Sequence, residues 1–342
     1  MCDLSVVIVN ANTRELTCQC LNSLYSNPPK CRYEIIVVDN ASTDGSCEAI
    51  ESTYPEVRLI RNDQNLGFAV ANNRAFEIAK GEHILLLNND TIVPPGSVDK
   101  LLAVLDQDAS VGVVAPKLVY PDGSLQMSYG PMPSIFVSFC SFFEVKKWFP
   151  PGVALRFADW GGKRSVGKNT RSYVEWLSGK HPETAKLEKH NLVTGACMLI
   201  RGSCFRQVGP FDPAFFMYVD DADYSKRVYD AGWEILYLAE AAVIHIKGGT
   251  AGERYRWTSP VAYFSVFHFL KKHRGKMAAL IVKGFALSSV VLRSICNTLT
   301  RPHRAAASWK LLWAIAAGPR QTSSSSFRSG RRLDEESGQA AD

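Results

Sequence analysis

The first 90 residues alternate between short apolar runs and segments whose apolar residues recur every three or four positions. Apolar runs of this kind are typical of strands buried on both faces of a parallel sheet. They lie at residues 5–9, 34–38, 57–60 and 84–87. The periodic segments predict helices between the strands, and Asn12 followed by Glu15 indicates a capping box at the first helix. This βαβαβαβ order predicts an α/β fold with a mostly parallel central sheet flanked by helices.

Polar side chains follow three of these strands at the point where each strand ends. Asn10 follows the first, Asp39 follows the second, and Asn88, Asn89 and Asp90 follow the run at 84–87. At any single strand, such residues could simply form a turn, because Asn and Asp are common turn formers. Ligands of open α/β sheets, however, bind beyond the carboxyl ends of the strands. Three polar ends on one edge therefore favour a nucleotide-type crevice over three separate turns.

The sequence contains no phosphate-binding motif of other nucleotide folds. No GxGxxG follows the first strand, and no GxxxxGK[ST] occurs. The charge of a bound diphosphate would then need another counter-ion. A divalent metal, Mg²⁺ or Mn²⁺, held by Asp90 is the simplest solution, because these ions prefer oxygen ligands and often bind through one or two carboxylates plus phosphate oxygens.

A second group of carboxylates comprises Asp220, Asp221 and Asp223, which follow the apolar segment 215–218. Acidic residues are favoured in the first turn of a helix, and residues 222–231 have helical periodicity, so part of this charge can serve helix capping. A carboxylate delivered from a buried segment can also have a raised pKa, which suits a general base. The pattern alone leaves both roles open.

Eight segments extend these motifs in a fixed order along residues 4 to 250, with less clarity between 130 and 190. They lie at 5–12, 37–45, 65–73, 86–91, 193–201, 211–227, 231–233 and 243–245. Together they resemble the family 2 glycosyltransferases of the GT-A fold, and in particular the rhamnosyltransferase-like branch that builds bacterial surface polysaccharides. Because several motifs match in the correct order, the resemblance is more specific than any one of them.

The resemblance implies a role for each candidate site residue. The residues implied in nucleotide-sugar binding are Asn10, Asn12, Asp39, Asn65, Gly67, Asn72, Asn73, Asn88 and Asn89. Asp221 takes the place of the catalytic base, with Gly195, Ala196 and Asp220 on the acceptor side. Asp90 would be the main metal ligand. His245, after the apolar run 241–244, resembles the family's late histidine near the diphosphate, although a histidine at a strand end can also be purely structural.

Two positions depart from the family pattern. Asn88 stands where the family has the first aspartate of its Asp-x-Asp motif. The change lowers the negative charge of the metal site, although the Asn carbonyl can still accept a hydrogen bond or coordinate weakly. Asp220 replaces the usual glutamate and keeps its charge.

The activity implied by the resemblance is inverting transfer of a sugar, with rhamnose suggested, from a nucleoside-diphosphate sugar to a lipid-linked or polysaccharide acceptor. Two alternatives stay open. A catalytically inactive GT-A scaffold in a polysaccharide-assembly complex would be consistent with Asn88. A sugar nucleotidyltransferase has a related sheet and a similar requirement for a metal, but its reaction would not use Asp221.

We expect three parts along the chain. The catalytic domain covers residues 1–250, divided into a nucleotide-sugar-binding half at 1–125, a variable acceptor-side insertion at 126–190 and an acceptor and base half at 191–250. A basic amphipathic helical appendage follows at 251–320. The Ser-rich segment 321–342 is expected to be disordered.

The net charge of +6 is concentrated near the C-terminus, where residues 247–310 contain twelve Lys and Arg residues and one Glu. Basic amphipathic helices are typical of elements that lie on an anionic membrane surface. They could equally cover the catalytic domain with solvated charges. The apolar run from Met277 is interrupted by Lys283, which leaves less than the ~20 apolar residues that span a bilayer. A nucleic-acid partner is not expected, because no zinc-finger, RNP-like or helix-turn-helix pattern accompanies the charge.

Nine cysteines without CxxC spacing indicate reduced thiols in a reducing compartment. The first predicted strand begins directly after residue 3, so we expect no signal peptide. The sequence therefore predicts a cytoplasmic protein, peripheral on the inner face of the cell membrane.

Overall fold

The computed structural model of the protein describes residues 2–144, 187–246 and 259–318. Most of the predicted insertion, at 145–186, lies outside the described residues, as does the tail predicted to be disordered. The described residues form a ten-stranded sheet with helices on both faces. This architecture confirms the predicted α/β class.

The N-terminal part of the sheet is parallel, as predicted. Its elements are β1 (Cys2–Asn10), α1 (Arg14–Ser26), β2 (Tyr33–Asn40), α2 (Ser46–Thr53), β3 (Arg58–Asn62), α3 (Gly67–Ile78) and β4 (Gly81–Asn88). The strands pair in the order β3-β2-β1-β4. The register places Asn10 opposite Asp39 and Val9 opposite Asn88, so the predicted polar strand ends lie together on one edge.

The rest of the sheet is mixed in direction. Its elements are β5 (Thr91–Ile92), α4 (Ser97–Gln107), β6 (Val111–Val119), β7 (Leu125–Gln126), α5 (Ile135–Phe142), β8 (Leu187–Lys189), β9 (Cys197–Ile200), α6 (Gly202–Val208), α7 (Asp220–Asp230) and β10 (Glu234–His245). The main path is β3-β2-β1-β4-β9-β6-β10-β5, with β7 on β6 and β8 on β10. Along this path β9 and β5 run against the other six strands.

Both faces of the sheet are covered, which explains the continuous apolar runs. On one face, Ile8 of β1 packs in a cluster with Leu21 of α1 and Leu101 of α4. On the other face, Val7 of β1 belongs to a cluster with Ala71 of α3. Successive residues of one strand therefore enter two different cores.

Three C-terminal helices follow, within the segment 251–320 for which the sequence predicted a basic amphipathic helical appendage. They are α8 (Pro260–Arg274), α9 (Lys276–Thr300) and α10 (Pro302–Ala317). Tyr263 of α8 and Val282 and Val290 of α9 are buried in the same cluster as Val7 of the sheet. The C-terminal helices therefore cover one face of the sheet through shared apolar packing.

Candidate functional site

Asn10 joins three strand ends of the predicted crevice. Its side chain is fully buried, and Nδ2 donates to Asp39 Oδ1 at 2.6 Å and to Ser42 Oγ at 3.0 Å. Its Oδ1 accepts hydrogen bonds from Thr17 Oγ1 at 2.7 Å and from Asn89 Nδ2 at 3.2 Å. Buried amides stabilise a fold most when all of their polar atoms are hydrogen-bonded. The contacts of Asn10 and Asn89 therefore hold the ends of β1, β2 and β4 together at this edge of the sheet.

Asn12 and Asp39 shape the loops above this edge. Asp39 Oδ2 accepts from the Ser42 amide at 2.8 Å. Asn12 has a left-handed φ of 55°, and its Oδ1 accepts from the Thr43 amide at 2.7 Å. The predicted capping box is therefore wrong: Thr13 is the N-cap of α1, and the Asn12 side chain is used by the neighbouring loop.

Gly67 begins α3 in a position that only glycine can occupy without strain. Its φ is +80°, and a Cβ atom there would lie 2.3 Å from the carbonyl oxygen of Phe216. The Gly67 amide donates to Asn65 Oδ1 at 2.9 Å. Asn65 and Gly67 thus allow the 211–219 loop to approach α3 closely.

Asn72 and Asn73 are engaged by the backbone. Asn73 donates from Nδ2 to the Phe211 carbonyl at 2.8 Å and accepts at Oδ1 from the Phe211 amide at 2.9 Å. Asn72 is buried and donates to the Phe68 carbonyl at 2.9 Å. The Asn73 contacts join α3 to the 211–219 loop, and the Asn72 contact lies within α3. The two side chains therefore hold the elements that surround the site.

Asp90 and His245 meet at one corner of the crevice. Thr91 of β5 pairs with His245 of β10, which brings Asp90 Oδ1 to 3.1 Å from His245 Nε2. The two atoms are not aligned for a hydrogen bond, and Asp90 Oδ1, although buried, has no hydrogen-bond partner among the described residues. Asn88 Nδ2 lies 3.4 Å from the same nitrogen. The predicted metal ligands are therefore adjacent, beside the residue that departs from the family motif.

A buried carboxylate oxygen that accepts no hydrogen bond has an uncompensated negative charge, so a cation is favoured beside it. Among residues 2–144, 187–246 and 259–318 there is no group of three or more His, Cys, Asp or Glu side chains that could hold a metal. Asp90 and His245 thus offer two donors, which suits an ion that takes its other ligands from phosphate oxygens and water. The residues fit a diphosphate-bound Mg²⁺ or Mn²⁺.

Gln126, at the end of β7, belongs to this corner and was missed by the sequence analysis. It is buried, and its Oε1 lies 2.5 Å from His245 Nδ1. Gln126 is the first residue of the predicted insertion 126–190, outside the eight matching segments, so no local signal pointed to it.

Asp221 stands at the start of α7 after two strained residues. Tyr218 and Val219 have φ angles of 67° and 64°, a conformation that is costly for a β-branched residue such as valine. Asp221 Oδ1 accepts from the Ala222 amide at 2.8 Å and Oδ2 from the Gly195 amide at 3.3 Å. Hydrogen bonds from amides and the helix N-terminus both favour an ionised carboxylate.

Asp220 beside it is buried, and this burial, together with the negative charges of Asp221 and Asp223, raises its pKa to about 8. Asp220 therefore holds its proton more readily than a solvated carboxyl does, which makes it the less suitable of the two residues as a general base.

Gly195 and Ala196 connect the two halves of the site. The Gly195 amide contacts Asp221, while the Ala196 carbonyl accepts from the Asn88 amide at 2.9 Å. Consecutive Cα atoms are only ~3.8 Å apart. This dipeptide, which leads into β9, therefore holds Asp221 next to the corner formed by Asn88, Asp90 and His245.

Asp223 has a structural role that the sequence left open. It is buried and contacts the charged groups of Arg227, at Nε 3.0 Å, and Lys272, at Nζ 2.8 Å, and the ring nitrogen Nε2 of His273 at 2.7 Å. Ser265 of α8 also donates to the Met217 carbonyl at 2.8 Å. Helix α8 thus braces both sides of the strained turn before Asp221.

Comparison with known sequences points to one family. The sequence model described as Glycosyl transferase family 2 matches residues 5–167. The chain is 29% identical over 247 residues to an N-acetylglucosaminyl-diphospho-decaprenol L-rhamnosyltransferase of Mycobacterium tuberculosis, covering 68% of this chain and 71% of that protein. It is 26% identical to an O-antigen biosynthesis protein of Myxococcus xanthus, covering 71% of this chain and 17% of the relative.

Solved structures share the fold at low sequence identity. GalNAc-T7 with UDP, GalNAc and Mn²⁺ superposes with a TM-score of 0.54 at 16% identity, covering 79% of this chain and 48% of that one. A mannosyltransferase of Pyrobaculum calidifontis, in complex with GDP-Man and Mn²⁺, gives a TM-score of 0.51 at 16% identity, covering 96% and 79%.

Proposed function

We propose that this chain, which belongs to the family 2 glycosyltransferases and has the GT-A fold, transfers a sugar with inversion from a nucleoside-diphosphate sugar to a lipid-linked acceptor. The name of the M. tuberculosis relative, an N-acetylglucosaminyl-diphospho-decaprenol L-rhamnosyltransferase, supports rhamnose as the sugar and a polyprenyl-diphosphate saccharide as the acceptor. The observation that supports the proposal is the Gly195-Ala196 dipeptide. Its Gly195 amide donates to the Asp221 carboxylate, and its Ala196 carbonyl accepts from the amide of Asn88, which belongs to the corner with Asp90.

In the proposed reaction Asp221 accepts the proton of an acceptor hydroxyl. The hydroxyl oxygen forms a bond to the anomeric carbon while the bond from that carbon to the diphosphate oxygen breaks on the opposite face. The amides of Gly195 and Ala222 hold the carboxylate in place. Burial and the neighbouring negative charges raise the pKa of Asp220, so Asp221 is the better base of the two. One positioned base of this kind contributes about 10²–10⁴-fold to a rate.

Asp90 and His245 would hold the divalent metal, Mg²⁺ or Mn²⁺. When bound, such an ion offsets the negative charge that develops on the departing diphosphate. Asn88 lies at the same corner and lowers its negative charge relative to the family motif. Asn10, Asn89 and Asp39 keep the strand ends in register beneath the nucleotide.

A donor assay tests this function. Incubation with a panel of nucleotide sugars and a polyprenyl-diphosphate-linked N-acetylglucosamine acceptor is expected to release free nucleoside diphosphate from one donor, dTDP-rhamnose, and only when the acceptor is present. Release of pyrophosphate would instead identify a sugar nucleotidyltransferase. Absence of release from every donor would favour the inactive scaffold.

The C-terminal helices carry an apolar stripe that we propose to rest on the membrane. Its large side chains are between 42% and 79% exposed, and at 3.6 residues per turn those of α9 fall within roughly one third of the helix circumference. The stripe comprises Met277, Leu280, Ile281, Leu292, Ile295 and Leu299 of α9 and Trp309 and Trp313 of α10. Lys276 and Lys310 are exposed on the same helices. Apolar residues with interfacial tryptophans and lysines are typical of an element lying in an anionic interface.

Helix α9 is longer and more apolar than predicted, because it runs through Lys283 without a break and is 25 residues long in all, from Lys276 to Thr300. By length and composition alone it is long and apolar enough to cross a membrane. Its Val282, Ala286 and Val290, however, are buried against the protein core. We therefore propose that α9 lies in the plane of the inner leaflet, on the cytoplasmic side of the membrane.

A double substitution, Leu280→Glu with Leu292→Glu, tests the membrane proposal. It is expected to weaken binding to vesicles containing anionic lipid by at least about tenfold, because burial of one leucine contributes about 1.5–3 kcal/mol. Tyr229→Glu, at an exposed aromatic residue of α7, is the control and should float like the wild type. Equal flotation of the double variant would contradict the stripe, and resistance to alkaline carbonate would indicate a spanning helix.

A further inference from the structure

Gln126 makes two contacts with His245. Its Oε1 lies 2.5 Å from the ring nitrogen Nδ1, and its Nε2 lies 3.3 Å from the His245 carbonyl oxygen. Gln126 is buried, and the His245 side chain is 12% exposed. Hydrogen bonds are stronger where water is excluded, so these two contacts strongly restrict the orientation of the His245 ring.

These two contacts determine which ring nitrogen carries the proton. A backbone carbonyl can only accept a hydrogen bond, so the Gln126 amide nitrogen must face the His245 carbonyl. The amide oxygen then faces Nδ1, and because this oxygen can only accept, Nδ1 must be the protonated nitrogen. The lone pair of neutral His245 is thereby left on Nε2, which faces Asp90 Oδ1.

We infer that Gln126 is a positioning residue that holds His245 in the tautomer able to bind a metal through Nε2. The opposite tautomer would put a hydrogen atom on Nε2, which lies 3.1 Å from Asp90 Oδ1, and would leave no lone pair on that nitrogen for a metal. With Nδ1 protonated, two electron-pair acceptors face each other instead, an arrangement that is stabilised by a cation beside them. Partners that orient a metal-binding histidine in this way change metal affinity by about 10–100-fold.

The fold explains why a long side chain is needed. Gln126 pairs with Leu118 of β6, and Leu118 pairs on its other side with Val243 of β10. The backbone of Gln126 is thus two strands from β10, or roughly 10 Å. Only a side chain of glutamine length reaches across β6 to His245.

The experiment compares Gln126→Met, which keeps length but removes both polar groups, with Gln126→Glu, which keeps the acceptor for Nδ1. In the metal-free proteins, ¹⁵N NMR of the histidine rings, assigned with His245→Gln, is expected to show His245 protonated at Nδ1 in the wild type and in Gln126→Glu. In Gln126→Met the proton should move to Nε2. Mn²⁺ affinity in the presence of dTDP or UDP, measured by electron paramagnetic resonance, should fall about 10–100-fold in Gln126→Met alone.

The inference rests on the proposed metal site, but the two can fail separately. A wild-type protein protonated at Nε2, or a Gln126→Met variant with unchanged tautomer and Mn²⁺ affinity, would overturn the role of Gln126. A wild type that binds no Mn²⁺ with either nucleotide while showing the expected tautomer would overturn the metal site and leave the positioning of His245 standing. Circular dichroism melts of each variant exclude misfolding as the cause.

Discussion

Asp221→Asn is expected to lower sugar transfer by about 10²–10⁴-fold while leaving donor binding unchanged. Asparagine keeps the size of the side chain and its acceptor oxygen for the Gly195 or Ala222 amide, but it cannot take the proton of the acceptor hydroxyl. The measurement is steady-state transfer together with calorimetric binding of the nucleotide sugar. A loss confined to kcat would separate proton transfer from donor recognition.

Asp230→Asn is the matched control for this variant. Asp230 lies on the same helix, is exposed and pairs only with Lys226 among the contacts described for it. It removes one carboxylate from α7 without touching the crevice, so its transfer rate should match that of the wild type. Full turnover by Asp221→Asn would remove Asp221 from the role of base.

Asp90→Asn is expected to abolish metal-dependent transfer, with a loss of about 10²–10³-fold and a matching loss of Mn²⁺ binding. The substitution replaces the Asp90 carboxylate by an amide beside His245 Nε2, which lies 3.1 Å from Asp90 Oδ1 in the wild type. Because Asn88 already lowers the charge there, no second carboxylate of the described residues at the corner can compensate. The variant should also become insensitive to added Mn²⁺.

Asp63→Asn, at an exposed position after β3, serves as the control for a simple loss of negative charge. It should retain both Mn²⁺ binding and transfer. Undiminished transfer by the wild type after thorough chelation would show that the leaving diphosphate needs no metal. Asp90 would then have another purpose, while the base assignment of Asp221 would be unaffected.

Parts of the site could be predicted because they depend on local order. The runs at 5–9, 34–38 and 84–87 are buried on both sheet faces, and their polar ends meet because adjacent parallel strands end on the same edge. Asp90 could be placed for this reason. The helical pattern after Asp221 likewise predicted α7 correctly.

Local pattern failed where a side chain is used by a distant segment. Asn12 looked like the start of a capping box, but the loop after β2 takes its side chain. Asn73, for which the resemblance implies nucleotide-sugar binding, hydrogen-bonds the backbone of Phe211, 138 positions away along the chain, and no local pattern indicated this contact. Its role in nucleotide-sugar binding stays a prediction. Lys283 is a different case: it interrupts the apolar run in the sequence, but the structure shows one continuous helix through this position.

The sequence by itself therefore determined the parallel half of the sheet, the edge on which the site lies and the two carboxylates that we propose for chemistry. Hydrophobic periodicity reports which face of a local element is buried, and this was sufficient for those features. Only the tertiary structure decided that β9 enters between β4 and β6, so that Gly195 and Ala196 join Asp221 to the Asn88 corner. It alone also brought Gln126 to His245, because pairings between distant strands depend on the whole packed sheet and leave no periodic signal at either residue.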